Sequence, residues 1–166
     1  MKFCPTCASP LKPRQDDERH PRLVCSAEAC GYTWYDNPLP VVAAIVEHGG
    51  AVILVRNKGW PDSWFGLVSG FLEKGESPEE GILREILEEV GLRGEVLGFI
   101  GAYPFVEMNQ IILAYHVRAQ GEIVAGEEIA SVKTVPVDKL RPWPLGTGHA
   151  VRDWLAARNL MGPRLA

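Results

Sequence analysis

The stretch Gly70–Leu92, GFLEKGESPEEGILREILEEVGL, sets seven glutamates in a glycine-bounded loop and in the amphipathic segment that follows it. Ser77 carries a hydroxyl suited to an N-cap, Pro78 suits the first helical position, and Glu80 stands three residues after the cap, where it closes a capping box. A helix is therefore predicted to start at Ser77, and Gly91 to stop it near Val90 by turning left-handed. At about 100° per residue, Ile82, Leu83, Ile86, Leu87 and Val90 share one sector, the predicted core face. Glu85, Glu88 and Glu89 gather on another, with Gly81 between them expected to leave the space above the carboxylates open. Like charges at these spacings cost a few tenths of a kcal/mol per pair, so the pattern points to a bound cation. A solvated acidic helix face is the ordinary alternative, and the glycine-bounded loop weighs against it.

These residues resemble the Nudix box: glycine, five residues, glutamate, seven residues, Arg-Glu, an apolar residue, any residue, Glu-Glu, any residue, glycine, an apolar residue. Gly70, Glu76, Arg84, Glu85, Ile86, Glu88, Glu89, Gly91 and Leu92 fill every fixed position. The resemblance implies an α/β fold, a Nudix α/β/α sandwich around a mixed sheet. It also implies hydrolysis of a nucleoside diphosphate linked to another group, with Mg²⁺ or Mn²⁺. Glu85, Glu88 and Glu89 would hold the metal, helped by the Gly70 carbonyl, while Glu76 and Arg84 would pair to brace the loop.

The chain has 166 residues, enough for one domain of ordinary size and a small appendage. All four cysteines fall in the first thirty residues, as Cys4-x2-Cys7 and Cys25-x4-Cys30. That layout suits a zinc ribbon, in which two thiolate pairs close a tetrahedral Zn²⁺ site and staple a segment poor in large apolar groups. Two disulfides, or four idle thiols, are the competing readings. The four-residue spacer is longer than the usual two; His20 is an alternative ligand, though a surface position is expected for it. The N-terminus MKFCPTC lacks an apolar signal segment, so a reducing cytoplasm is expected, and no apolar run has membrane-spanning length.

Many zinc ribbons bind nucleic acid, and charge tests that possibility. In residues 1–40, Lys2, Lys12, Arg14, Arg19 and Arg22 are balanced by Asp16, Asp17, Glu18, Glu28 and Asp36, and the whole chain carries −4. Neither value is the footprint of a polyanion binder. Residues 1–36 are expected to form the zinc ribbon and 37–166 the hydrolase. Asp36-Asn37-Pro38-Leu39-Pro40 reads as the linker, and Tyr32, Trp34 and Tyr35 are expected to pack the ribbon against its neighbour.

VVAAIVEH and AVILVRN, separated by Gly49-Gly50, predict a β-hairpin. Trp64–Val68 is predicted as a short strand that delivers Ser69-Gly70 to the box, with Trp60, Trp64 and Phe65 as core or loop anchors. Val96–Val106, Gln110–Ala119 and Ser131–Val137 read as strands, and Thr147 as the cap of a last helix whose Val151, Trp154 and Leu155 face inward. His48, His116 and His149 show no ligand spacing.

Pyrophosphate hydrolysis needs neutralised charge and an activated water. The general base would be one of the box glutamates or a loop carboxylate, Glu128 or its neighbour Glu127. In order of segments the chain resembles the ribbon-bearing NADH, ADP-ribose and FAD pyrophosphatases, which implies a dinucleotide-type substrate and a homodimer. The Gln-Pro-Trp-Pro-Phe-Pro signature of NADH-cleaving members reads here Gly101-Ala102-Tyr103-Pro104-Phe105-Val106, keeping only Pro104 and Phe105. Tyr103 and Phe105 would flank a purine or nicotinamide ring, or serve as strand packing. Two other classes stay open: a non-catalytic ADP-ribose or NAD sensor, and a zinc-ribbon nucleic-acid module.

Overall fold

The computed structural model describes residues 1–14 and 22–159; His20 lies outside the described residues. The chain divides into two compact units, Met1–Pro38 and Leu39–Ala166.

The first unit is a three-stranded antiparallel sheet of β1 (Leu11–Pro13), β2 (Leu23–Cys25) and β3 (Thr33–Trp34), in that order. Its only buried apolar side chains among the described residues are Cys4 and Cys25, so packing alone gives it almost no core. The long Cys25–Cys30 spacer folds into a turn in which the Cys30 N–H donates to the Ala27 carbonyl and the Ser26 N–H to that of Pro10. Arg22 lies over the Tyr35 ring, 4.7 Å from its centroid.

The second unit is built on a six-stranded sheet of β4 (Leu39–His48), β5 (Ala51–Asn57), β6 (Val68–Phe71), β7 (Arg93–Phe105), β8 (Gln110–Gln120) and β9 (Ile129–Pro136). The spatial order is β7-β8-β4-β5-β9, and β6 pairs with the first half of β4, beside the part that β5 leaves free. The β4–β8 ladder is parallel and the others are antiparallel, which makes the sheet mixed. Helix α1 (Pro78–Val90) covers one face and α2 (Gly148–Ala157) the other. The alternation of β4 sorts the layers: Val42, Ala44 and Val46 pack with Ile82, Ile86 and Val90, while Ile45 packs with Val151, Trp154 and Leu155.

Local chemistry explains the boundaries. Gly49 and Gly50 both take positive φ, 57° and 81°, as a two-residue hairpin turn requires. Ser77 caps α1 with the full capping box, and Gly91 ends it at φ 71°. Ser77→Ala, which removes one half of that box, is expected to cost about 1 kcal/mol of stability in a denaturant titration; an unchanged midpoint would show that the cap contributes nothing.

Several expectations are corrected. Leu39 and Pro40 are not linker but the first residues of β4, because the Leu39 N–H donates to the Asn109 carbonyl and the Pro40 carbonyl accepts from Leu72. The predicted Trp64–Val68 strand is displaced: β6 itself contains Ser69 and Gly70, and Gly66 makes only an isolated bridge to Val55. Trp64 is 62% exposed and anchors no core. Leu87 is 54% exposed, because α1 crosses the sheet along its Ile82–Ile86–Val90 row. Thr147 precedes α2 without a side-chain capping bond, since its backbone is itself helical.

Candidate active site

Strand β6 and helix α1 face each other across the loop 72–77, and Arg84 ties the three together. Its Nε and Nη2 donate to the two Glu76 oxygens at 3.1 and 2.8 Å, a bidentate fork, and Nη2 also donates to the Phe71 carbonyl at 3.1 Å. Glu76 in turn accepts from the Glu73 N–H at 2.7 Å, and the Arg84 guanidinium holds its carboxyl below the usual range. Arg84 Nη1 then reaches Glu85 Oε1 at 2.7 Å and Glu88 Oε2 at 3.0 Å.

The three glutamates therefore share a helix face without sharing one point. Glu85 and Glu88 meet at Arg84, with the Glu88 side chain 59% exposed, while Glu89 turns inward and is only 8% exposed. Glu89 accepts from the Ser69 backbone N–H, and its Oε2 is buried with no hydrogen-bond partner. Burial first, then the charges of Glu85, Glu128 and Glu88, push its carboxyl up to about 8 against the opposing Ser69 bond. Burial also raises Glu85, against the pull of Arg84.

Glycines allow this close packing. A Cβ on Gly70 would lie 2.0 Å from the Glu85 carboxyl. Gly70→Ala is thus expected to leave the fold near its wild-type stability, since only a side-chain end must move, yet to displace Glu85 and lower activity by about a hundredfold. Wild-type activity in that variant would show that the position of Glu85 is immaterial. Gly81 does not open the space above the carboxylates as expected: its Cα faces Glu76 Oε1 and Leu72 Cδ1, which a Cβ would meet at 2.9 and 3.0 Å, so it seats the loop on the helix.

The segment after β8 closes the C-terminal end of α1. The Val124 and Gly126 N–H groups donate to the Val90 and Glu89 carbonyls at 3.0 and 2.9 Å, satisfying helix-end acceptors. The same segment carries Glu127 and Glu128, and the Glu128 charge is felt at Glu89. The Glu128 carbonyl accepts from the Lys58 N–H at 2.8 Å.

Tyr103 and Phe105 lie on the opposite side of the sheet from α1, packed against Val41, Ala43 and Ile112. The Tyr103 hydroxyl donates to Asp153 Oδ2 at 2.9 Å, and its ring stacks on His149 at 6.5 Å. Burial and that carboxylate push the Tyr103 hydroxyl up to about 12. Sequence reasoning missed Asp153 and the Ser69 N–H, which carry no periodic signal.

In the first unit the four cysteine sulfurs lie within 4.8 Å of one another, with Cys4–Cys30 at 3.7 Å and Cys7–Cys25 at 3.4 Å. Bonds with Ser9 hold the Cys7 thiol down to about 6, and burial pushes Cys25 up to about 12. Among the described residues this is the one group of three or more such side chains whose ligand atoms converge.

Residues 37–155 match the NUDIX domain family, and residues 2–36 match the family described as Nudix N-terminal. The chain belongs to the NUDIX family. The NAD-capped RNA hydrolase NudC of Pseudomonas aeruginosa strain LESB58 is 31% identical over 163 residues, 95% of this chain. The alignment covers 57% of that relative, so the chain spans little more than half of its length. Among solved structures, a NUDIX hydrolase from Nitrosomonas europaea superposes with TM-score 0.78 at 23% identity, covering 98% of this chain and 95% of that one. An ADP-ribose pyrophosphatase from Streptococcus suis gives TM-score 0.61 at 20% identity over 74% and 92%. Both likenesses are of fold alone. Among the described residues no helix is long and apolar enough to cross a membrane.

Proposed function

We propose that the chain is a divalent-metal-dependent pyrophosphatase that splits the phosphoanhydride of a dinucleotide-type substrate such as NADH, ADP-ribose or FAD, releasing a nucleoside monophosphate. The observation that carries this reading is Glu89, a nearly buried carboxyl with one unpartnered oxygen beside the charges of Glu85, Glu88 and Glu128. Such a group is costly unless a cation joins it. The donors at hand, Glu85, Glu88, Glu89 and the Gly70 carbonyl, are all oxygens, which suits Mg²⁺ or Mn²⁺. When bound, the metal neutralises pyrophosphate charge and lowers the pKa of a water.

The remaining roles fall to the chain's own groups. Glu76 and Arg84 fix the loop and orient Glu85 and Glu88 through the fork described above. Glu128 accepts the proton of the attacking water. Tyr103 and Phe105 flank the base from strand β7. Cys4, Cys7, Cys25 and Cys30 hold a structural Zn²⁺ in residues 1–36, ahead of the hydrolase at 37–166, and the protein is a homodimer. The name of the NudC relative supports an NAD-type substrate and adds NAD-capped RNA to the candidates.

Incubation of pure protein and Mg²⁺ with NADH, ADP-ribose, FAD, diadenosine polyphosphates and NAD-capped RNA tests the reading. Expected is monophosphate release that a chelator stops. Tight binding with no turnover on any of them would favour the sensor instead.

A further inference from the structure

Asn57 ends β5 on the sheet face that α1 covers. Val55, two residues earlier, and Ile129, its partner across the ladder, both belong to the core layer of Ile86 and Val90, so the Asn57 side chain points to that side. The adjoining bulge does not change this. The register steps from Arg56↔Ser131 to Asn57↔Ile129, which places the extra residue, Ala130, in β9 and leaves the alternation of β5 intact.

Here the strand gives way to a loop held against the proposed site. The next residue's N–H donates to the Glu128 carbonyl at 2.8 Å, and the Gly126 N–H, two residues before Glu128, donates to the Glu89 carbonyl at 2.9 Å. Among the described residues, three buried side-chain polar atoms lack a hydrogen-bond partner: Asn57 Oδ1, Glu89 Oε2 and Trp154 Nε1. Trp154 belongs to the α2 layer. The two on the α1 side are both oxygens, and both lie next to the segment that carries Glu128. A buried amide oxygen without a donor costs stability that an apolar side chain of the same size would not, so its presence calls for a ligand.

We infer that Asn57 Oδ1 is a further oxygen of the metal centre, a neutral acceptor for the hydration shell of the divalent cation held by Glu85 and Glu89. The inference rests on the metal-dependent reading above. Asn57 differs in kind from Glu128: its amide oxygen accepts a hydrogen bond but takes no proton at neutral pH, so it positions water without acting as a base. It is a positioning residue, and its loss acts on metal affinity before chemistry.

The test is Mn²⁺ titration of the zinc-replete full chain, read by electron paramagnetic resonance of free Mn²⁺, with melting curves of the protein free of Mn²⁺ and Mg²⁺. Asn57→Leu is expected to bind Mn²⁺ about tenfold more weakly, with an unchanged or higher melting temperature before Mn²⁺ is added. Asn57→Asp, which keeps the oxygen, is expected to bind at least as tightly as wild type. Wild-type affinity in Asn57→Leu overturns the inference. A lower melting temperature or failure to fold in that variant also overturns it, because either outcome assigns Asn57 a structural role. If Glu89→Gln loses Mn²⁺ while Asn57→Leu keeps it, the inference alone fails; if wild type takes up no Mn²⁺, the metal-dependent reading fails and takes the inference with it.

Discussion

Glu89→Gln is expected to lower turnover by at least roughly a hundredfold, the loss that several kcal/mol of charge stabilisation represents, and at the same time to stabilise the metal-free protein at neutral pH. The two effects share a cause. A carboxylate packed among Glu85, Glu88 and Glu128, with one oxygen unpartnered, is useful only to a cation and costly without one. Its carboxyl is raised to about 8 from an ordinary 4.5, so the folded state binds this proton more tightly than the unfolded state. The stability it contributes is fully present below pH 4.5 and is lost as pH rises through about 8, a swing on the order of a few kcal/mol. Chelator-treated wild type should therefore lose stability across that window relative to Glu89→Gln, which cannot titrate. Parallel pH–stability curves for the two proteins would contradict the buried, repelled state of Glu89, and full activity in the variant would remove it from the site.

The second large effect is expected at the cysteines. Cys4→Ser should release the bound metal and unfold the first unit while the second keeps its melting transition. Cys4 and Cys25 are the only buried apolar side chains among the described residues of that unit, and its three strands are two or three residues long. A metal site of this kind contributes on the order of 10 kcal/mol at neutral pH, far more than those strands gain by pairing. Zinc content and amide exchange resolved by residue check the prediction. Protection of β1–β3 that survives in the variant would show that the sheet stands without its metal.

How much of this is legible in the sequence varies with the kind of signal. Helix α1 was readable to the residue because Ser77, Pro78, Glu80 and Gly91 are local devices that act over three or four positions. The β4–β5 hairpin was readable for the same reason, through Gly49-Gly50. What escaped depends on partners distant in sequence. Leu87 and Ile86 have the same apolar character, and only the path of α1 over the sheet decides which is covered. Gly81 looked like an opening and is a seat, because the residues that fill the space, Leu72 and Glu76, arrive from the loop. Within the site, the acidic pattern was visible, but Arg84 holding Glu85 and Glu88 together while Glu89 turns inward was not. Helical spacing fixes Cβ directions, whereas the guanidinium and the Ser69 N–H decide where the carboxylates end.

The parallel ladder of β4 and β8 joins Val42 to Leu113, 71 positions further along the chain (113 − 42). During synthesis the apolar hairpin VVAAIVEHGGAVILV leaves the ribosome long before the strand that lies along its flank exists. The nascent chain must carry that unpaired sheet edge until β8 emerges, an interval in which it is exposed to aggregation and open to a chaperone.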